Sequence, residues 1–440
     1  MFFHFFPLQF VEDVVLPQTN KAGGEIFRRA PVTLPEFKVW LGLVMQMSLY
    51  PGAGVRAQFW AQEQDELNPL PMLGRYMSRR RFESIFKHLT IWESPPPLYR
   101  DPFFQLREFF AAWHEMMFKH YRPSWLNCGD ESMCFCSNPK CPGFILCPRK
   151  PKPTGNEYNT LADNKTRIVF SFELREGKDA PPQIPREGAE LGAIPGIMVL
   201  LTKPIRGTGN VGVWDSGFCV LRGLVNLRKR GIFSAIFVKK RKYWPKNVPC
   251  AAMKDHLSSK PLGTVAAKMG EYRGPECPDG IPFWLCGQRD RDYVLQLMCT
   301  YGTTEPKGPP VYRGGEFFPR AEPFADYYTA RNAVDNANNR RQGCVSIEEG
   351  FETRSWWKRQ FIFILAMCET NACNAYNHFG GHSVSSREFR KVLAKKLLES
   401  CGGALQHEER QAARGDGVHK LGEARLCRKV DWGRLDHLPG

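Results

Sequence analysis

The sequence predicts an α/β fold, a mixed sheet with flanking helices, preceded by an α-helical domain and interrupted by a small inserted subdomain. Three observations predict it. Apolar residues recur at helical spacing up to about residue 122. Short β-branched or aromatic segments bounded by Gly, Pro and Asn then alternate with helix-like runs. Two strong helical patterns follow before the chain turns polar.

The elements take this order. Residues 1–34 carry little pattern; the Met-Phe-Phe-His-Phe-Phe start suits a packed N-terminal strand or the start of an incomplete gene model. It lacks a basic flank, and Glu12 and Asp13 interrupt it, so no signal peptide is expected. Within a helical domain at 35–122, Phe37, Trp40, Leu41, Val44 and Met45 predict a helix from Leu34 to Ser48, stopped by Pro51, Gly52 and Gly54. A second is expected from about Leu73 to Thr90, with Arg79-Arg80-Arg81 on its solvated face, and a third from Phe103 to His120. The core starts at residue 123. Strands are expected around Cys128–Phe135, Arg167–Leu174, Val211–Trp214 and Ala235–Val238, with helical runs at Gly196–Leu201 and Phe218–Lys229. Residues 240–310, rich in Pro, Gly and Lys, read as the inserted subdomain, with strands near Phe283–Gly287 and Tyr293–Cys299. Residues 311–380 complete the core with helices at about Ala325–Arg341 and Glu352–Asn377. Residues 381–440 are expected to be helical to about Ser400 and then loose.

Composition bounds the function. The 440 residues carry a net charge of +16 and 42% apolar residues, enough for a sizeable core and suited to a polyanionic partner. The longest apolar run, Phe361–Cys368, is far below the roughly 20 residues a membrane-spanning helix needs. Fifteen cysteines are too few for a disulfide scaffold in so long a chain, and reduced thiols are expected. Cys128, Cys134, Cys136, Cys141 and Cys147 lack paired metal-ligand spacing, so structural zinc is not expected, although a zinc-stabilised scaffold is the competing class. Gly207-Thr208-Gly209-Asn210-Val211-Gly212 matches a dinucleotide fingerprint by letter, but it precedes a strand and reads as a chance match.

Three aspartates carry more. Asp130 lies on an expected strand, Asp215 ends the apolar run Val211–Trp214, and Asp335 lies in a helix. Two-ion phosphoryl transfer needs hard oxygen ligands around one phosphate, which carboxylates on adjacent strand ends and a packed helix can supply. Any one Asp alone is more often a cap or turn residue.

The motifs around these acids narrow the reading. Asp130-Glu131-Ser132-Met133 is followed by Pro148-Arg149-Lys150-Pro151-Lys152-Pro153-Thr154-Gly155. Lys203-Pro204-Ile205-Arg206-Gly207 precedes Asp215-Ser216-Gly217-Phe218, and Ala333-Val334-Asp335-Asn336-Ala337-Asn338 precedes Trp356-Trp357-Lys358-Arg359. Met77-Ser78-Arg79-Arg80-Arg81-Phe82 lies upstream. In this order, over residues from about 35 to 380, the chain resembles a PiggyBac-type transposase of the DDE class, or a protein derived from one.

The resemblance implies an RNase H-like sheet with Asp130 on its first strand, Asp215 at the end of its fourth and Asp335 on a following helix. It implies a β-rich insertion between Asp215 and Asp335. The implied activity is cutting of transposon ends through a hairpin intermediate and joining at TTAA. Asp130, Asp215 and Asp335 would be catalytic and would hold two Mg²⁺ or Mn²⁺ ions. Asn338, standing where many members carry another Asp, would be a further, uncharged metal ligand. The partners implied are double-stranded DNA and a second copy of the chain, in the nucleus and away from membranes.

The segment from Arg228 to Lys246 supports a nucleic-acid partner. Arg228, Lys229, Arg230, Lys239, Lys240, Arg241, Lys242 and Lys246 can neutralise phosphates, while Phe233, Phe237, Tyr243 and Trp244 interleave. Lys239-Lys240-Arg241-Lys242 also suits a nuclear import signal. After residue 380 only Cys401 and Cys427 stand with four histidines, too few for the zinc finger that often ends this family. The alternative reading is therefore a domesticated, catalytically weak DNA-binding derivative.

Overall fold

The computed structural model describes residues 1–51, 56–61, 69–239, 246–275, 277–313, 315–351 and 353–399. Lys240, Arg241 and Lys242, the aromatics Tyr243 and Trp244, and the tail from residue 400 lie outside the described residues.

The N-terminus is helical, and the strand expected there does not form. A short turn at Phe2–His4 leads into helical segments from Leu8 to Ala22, with a π-turn at Val11–Val15. The Phe6 ring, fully buried, sits 6.3 Å from Phe109 and 6.4 Å from Phe361, so this segment closes over the core. Helix α1 spans Leu34–Met47 and starts where Thr33 accepts from the Glu36 amide. The helix expected from 73 to 90 is shorter: Ser78 accepts from the Arg81 amide and starts α2 at Arg79, running to His88. Arg81 then forks onto Glu36 with both contacts at 2.7 Å, which ties α2 to α1 and removes one arginine from the expected solvated face. Helix α3 runs from Phe104 to His120.

Among the described residues, nine strands make one sheet. They are β1 (Leu126–Phe135), β2 (Phe144–Leu146), β3 (Thr154–Asp163), β4 (Val169–Leu174), β5 (Val211–Trp214), β6 (Phe233–Phe237), β7 (Val265–Gly274), β8 (Cys277–Arg289) and β9 (Val294–Cys299). The order is β2-β3-β1-β5-β6-β9-β8-β7, with β4 also paired to β3. Only β1–β5 and β5–β6 are parallel among these pairs. Parallel neighbours need a crossover. Helix α4 (Ala193–Leu201) lies between β4 and β5, and α5 (Leu221–Lys229) between β5 and β6. The short β2 makes the Asp215 strand the fifth in chain order. Residues 265–299, expected within a separate subdomain, continue the main sheet, because β9 pairs with the outer edge of β6. Helix α6 (Cys250–Ser258) packs against β8 and β9.

Strand β3 was not expected, because its sequence Thr-Gly-Asn-Glu-Tyr-Asn-Thr-Leu-Ala-Asp shows no apolar alternation. It is nonetheless almost wholly buried, and most of its polar side chains are paired, the Asn159 amide nitrogen being an exception. Asn156 accepts from Trp356 at 2.9 Å and from Gln360 at 2.8 Å, and Asp163 accepts from Tyr121 at 2.9 Å.

After the sheet come α7 (Glu322–Ala330), α8 (Ala333–Arg341), α9 (Trp356–Gly380) and α10 (Ser386–Glu399). Helix α9 is buried continuously from Lys358 to Ala375 and forms the spine of the molecule. Two of its asparagines bond the sheet side: Asn371 bonds both backbone groups of Val169, and Asn374 donates to Arg167. Trp356 and Trp357 pack as expected, Trp357 lying 5.0 Å from Trp92.

Helix α10 returns to α1 through a buried ion pair. Arg390 meets Glu369 at 3.0 Å and Ser48 at 3.2 Å, and both charged side chains are 1% exposed. Replacing Glu369 by Leu leaves a buried guanidinium uncompensated and should cost about 3–5 kcal/mol in denaturant unfolding. The Glu369→Leu/Arg390→Leu double variant should lose much less.

Candidate active site

The site begins with a register. Strands β1 and β5 run parallel, and their last pair is Gly129 with Trp214. The next residue on each chain is Asp130 and Asp215. Glycine is required at this register: a Cβ on Gly129 would lie 2.3 Å from the Trp214 ring, and one on Gly212 would lie 2.8 Å from its indole nitrogen. Asp215 ends the strand and heads a turn at Ser216–Phe218, with the Phe218 amide donating to its carbonyl at 3.0 Å.

The third acid arrives through a break. The single helix expected from Ala325 to Arg341 is two, parted at Arg331 and Asn332. There the Cys128 thiol donates to the Arg331 carbonyl at 3.4 Å. The restart places Asp335 in the first turn of α8, where the helix dipole favours a carboxylate. Helix α8 is pinned to β1 by side chains bonding its carbonyls. Asn338 donates to Glu131 at 3.3 Å, and Arg341 and Gln342 donate to Met133 at 3.2 and 3.1 Å.

Asp130, Asp215 and Asp335 thus line one cleft of about 840 Å³. Glu131, Arg149, Lys150, Lys239 and Arg331 line it too. Asn338 does not, contrary to its expected role as a ligand. Its amide is taken, Nδ2 by Glu131 and Oδ1 by Arg341 at 3.2 Å, so it holds the scaffold together.

The cleft sets four acids against four bases. Burial pushes the Asp130 carboxyl up to about 7; Glu131 and Asp335 push the same way, while the Glu131 amide, at 2.7 Å, and Lys150 oppose. Burial also raises Glu131, with Glu157 and Asp215 adding to it against Lys150. For Lys150, burial works against the charge, but Asp130, Glu131 and Asp335 outweigh it and raise its pKa.

The donors suit a hard cation: carboxylate oxygens from three elements on one cleft. Among the described residues, no group of three His, Cys, Asp or Glu side chains is close enough to enclose an ion alone. Mg²⁺ typically takes one or two carboxylates and completes its shell with water and substrate phosphate, so an open set of this kind fits it.

The basic segment is split by β6. Lys239, beyond its C-terminal end, lines the cleft. Arg228, Lys229 and Arg230 stand before its other end, Arg228 lying 4.1 Å over the Phe233 ring and Arg230 bonding Asn226 at 3.1 Å. Lys246 is exposed in a turn. Phe237, half-buried, packs on Tyr327 at 5.1 Å and lines the cleft with it. The first two glycines of the letter-match fingerprint form the turn before β5, with φ of +69° at Gly207 and +73° at Gly209, and the third, Gly212, lies in the strand. Cys128 and Cys134 are core residues, and Cys136 and Cys141 bring their sulfurs to 2.8 Å in the loop after β1. Sequence reasoning gave no role to Glu131 or Lys150. Lys150 follows Glu131 by 19 positions, and only the β1–β3 pairing returns that segment to the cleft.

The Transposase IS4 family model matches residues 1–373. No curated protein matches the chain. Among solved structures, the chain is similar to piggyBac transposase in a synaptic complex with hairpin DNA. The TM-score is 0.69 at 16% identity, covering 96% of this chain and 86% of that one. The likeness is one of fold: an RNase H-like mixed sheet with flanking helices.

The raised Asp130 has a stability consequence. Its folded pKa of about 7 exceeds the ordinary 3.8, so the folded state holds the proton more tightly. That contribution is full below pH 4 and is lost as pH rises to about 7. Asp130→Asn should therefore be more stable than the wild type at pH 8, by about 2–4 kcal/mol, with the gain vanishing below pH 4. Metal-free thermal melts across pH check this.

Proposed function

The chain belongs to the Transposase IS4 family, and from that premise we propose that it is a piggyBac-like DNA transposase, cutting and joining DNA at TTAA by metal-dependent phosphoryl transfer. The observation that carries the proposal is the convergence of Asp130, Asp215 and Asp335 on one cleft from a strand, a strand end and a helix. These carboxylates would hold two Mg²⁺ or Mn²⁺ ions. When bound, the ions would activate a water or 3′-hydroxyl and neutralise the leaving oxygen.

The chain's own residues do the positioning. Asp130 and Asp215 are neighbours across a sheet register, and Asp335 is fixed by the anchoring of α8, so the ligands keep one relative geometry. Arg149, Lys239 and Arg331 at the cleft would draw in and orient phosphates. The solved piggyBac structure holds hairpin DNA; the partner proposed here is likewise double-stranded DNA, bound by a homodimer in the nucleus. The excess of positive charge supports that partner. Among the described residues, no helix is long and apolar enough to cross a membrane.

The engagement of Asn338 in the scaffold favours a second reading, a catalytically weak DNA-binding derivative, because the cleft then lacks a fourth ligand from α8. A cleavage assay separates the two.

Asp215→Asn should retain the fold by circular dichroism yet lose Mg²⁺-dependent nicking of TTAA-containing DNA by about 10³-fold or more. Nicking at the wild-type rate would remove Asp215 from the chemistry. No nicking by the wild type, with DNA binding retained, would support the second reading. Binding itself should weaken with salt at a log–log slope near −0.9 per phosphate contacted.

A further inference from the structure

Lys150 stands where a metal ion would compete. Its Nζ lies 3.5 Å from both the Glu131 side-chain oxygen and the Glu131 carbonyl. Those distances exceed the roughly 2.7–2.9 Å of a charge-assisted hydrogen bond. The ammonium therefore lies loosely among the acids, attracted at once by Asp130, Glu131 and Asp335.

The segment that carries it is a turn and no part of the sheet. The Cys147 amide donates to Pro153 at 2.6 Å and the Lys150 amide to Cys147 at 3.0 Å, so the backbone is held closely while the side chain is held by Glu131 at 3.5 Å. A four-carbon stem lets such a head swing by several ångströms. The neighbouring Lys152 is committed elsewhere, to Glu349. Lys150 is thus a cleft cation joined to the acids by long contacts.

We infer that Lys150 is a resident counter-ion, which holds the place of the divalent cation among these carboxylates and is displaced when metal arrives. The inference rests on the reading of the cleft as a divalent-cation site. Two cations drawn into the same acidic cleft repel each other, so Lys150 weakens metal binding to the free protein. A DNA phosphate entering the cleft gives the displaced ammonium a new partner. Metal loading and DNA binding are thereby coupled, each favouring the other.

The test is Mn²⁺ titration by electron paramagnetic resonance, at fixed pH and low salt, on the full chain with and without TTAA-containing duplex. Without DNA, Lys150→Met should bind Mn²⁺ roughly tenfold more tightly than the wild type. Lys150→Gln should behave like Lys150→Met, and Lys150→Arg should stay near the wild type. With duplex present, the gap between wild type and Lys150→Met should narrow. Unchanged or weaker Mn²⁺ affinity in both neutral variants, with wild-type melting temperatures, would overturn the inference. Asp215→Asn separates the underlying reading: if it leaves wild-type Mn²⁺ binding intact, the cleft is not the cation site.

Discussion

Repulsion among carboxylates at one end of a sheet is the constraint on which the rest of this structure depends. Asp130, Glu131, Asp215 and Asp335 line a single cleft; burial strips water from Asp130 and Glu131, while Asp335 stays exposed at its edge. Left to itself such a cluster would spread. It persists because each acid sits on backbone that has other reasons to be where it is. Asp130 and Asp215 follow from the register of β1 against β5, which Trp214 locks over two glycines. Asp335 follows from the break between α7 and α8. The site is unfavourable locally and is carried by the surrounding fold, a common arrangement where function needs concentrated charge.

The support continues behind the cleft. Arg341, fully buried, pairs with Glu348 and bonds β1, while Arg359 bonds the Phe135 carbonyl at 2.9 Å and the Glu348 carbonyl. These cations bond the far end of β1 and the start of α9 and so fix the helix that delivers Asp335. The N-terminal helices are joined to the same spine. Lys358 of α9 donates to the Phe86 and Lys87 carbonyls at the end of α2. Burial pushes that lysine down to about 8, the strain of capping a helix with a charge held away from water. Core, helical domain and site are therefore one mechanical unit.

Much of this was legible in the residues. The apolar periodicity of α1 and α3 and the short run of β5 announced themselves, and the three aspartates with their flanking motifs marked the cleft. Strand β3 was not legible, because it buries polar side chains whose partners lie elsewhere in the chain, Asn156 meeting Trp356 and Gln360 two hundred residues on. The break at Arg331 was hidden for a similar reason: nothing local interrupts the helical pattern, and the contact that coincides with the break comes from Cys128. Asn338 misled because its type suits a ligand while its direction is set by Glu131 and Arg341. Lys150 was visible as a motif letter but not as a group in the cleft, since only sheet pairing brings it there.

The central claim is that the three aspartates form the divalent-cation site of a DNA-processing enzyme. Anomalous scattering from Mn²⁺ in crystals of the full chain with DNA tests it most directly. The account predicts two Mn²⁺ peaks within coordination distance of the Asp130, Asp215 and Asp335 carboxylates, with a phosphate between them. Mn²⁺ bound only outside this cleft, with DNA present, would contradict it.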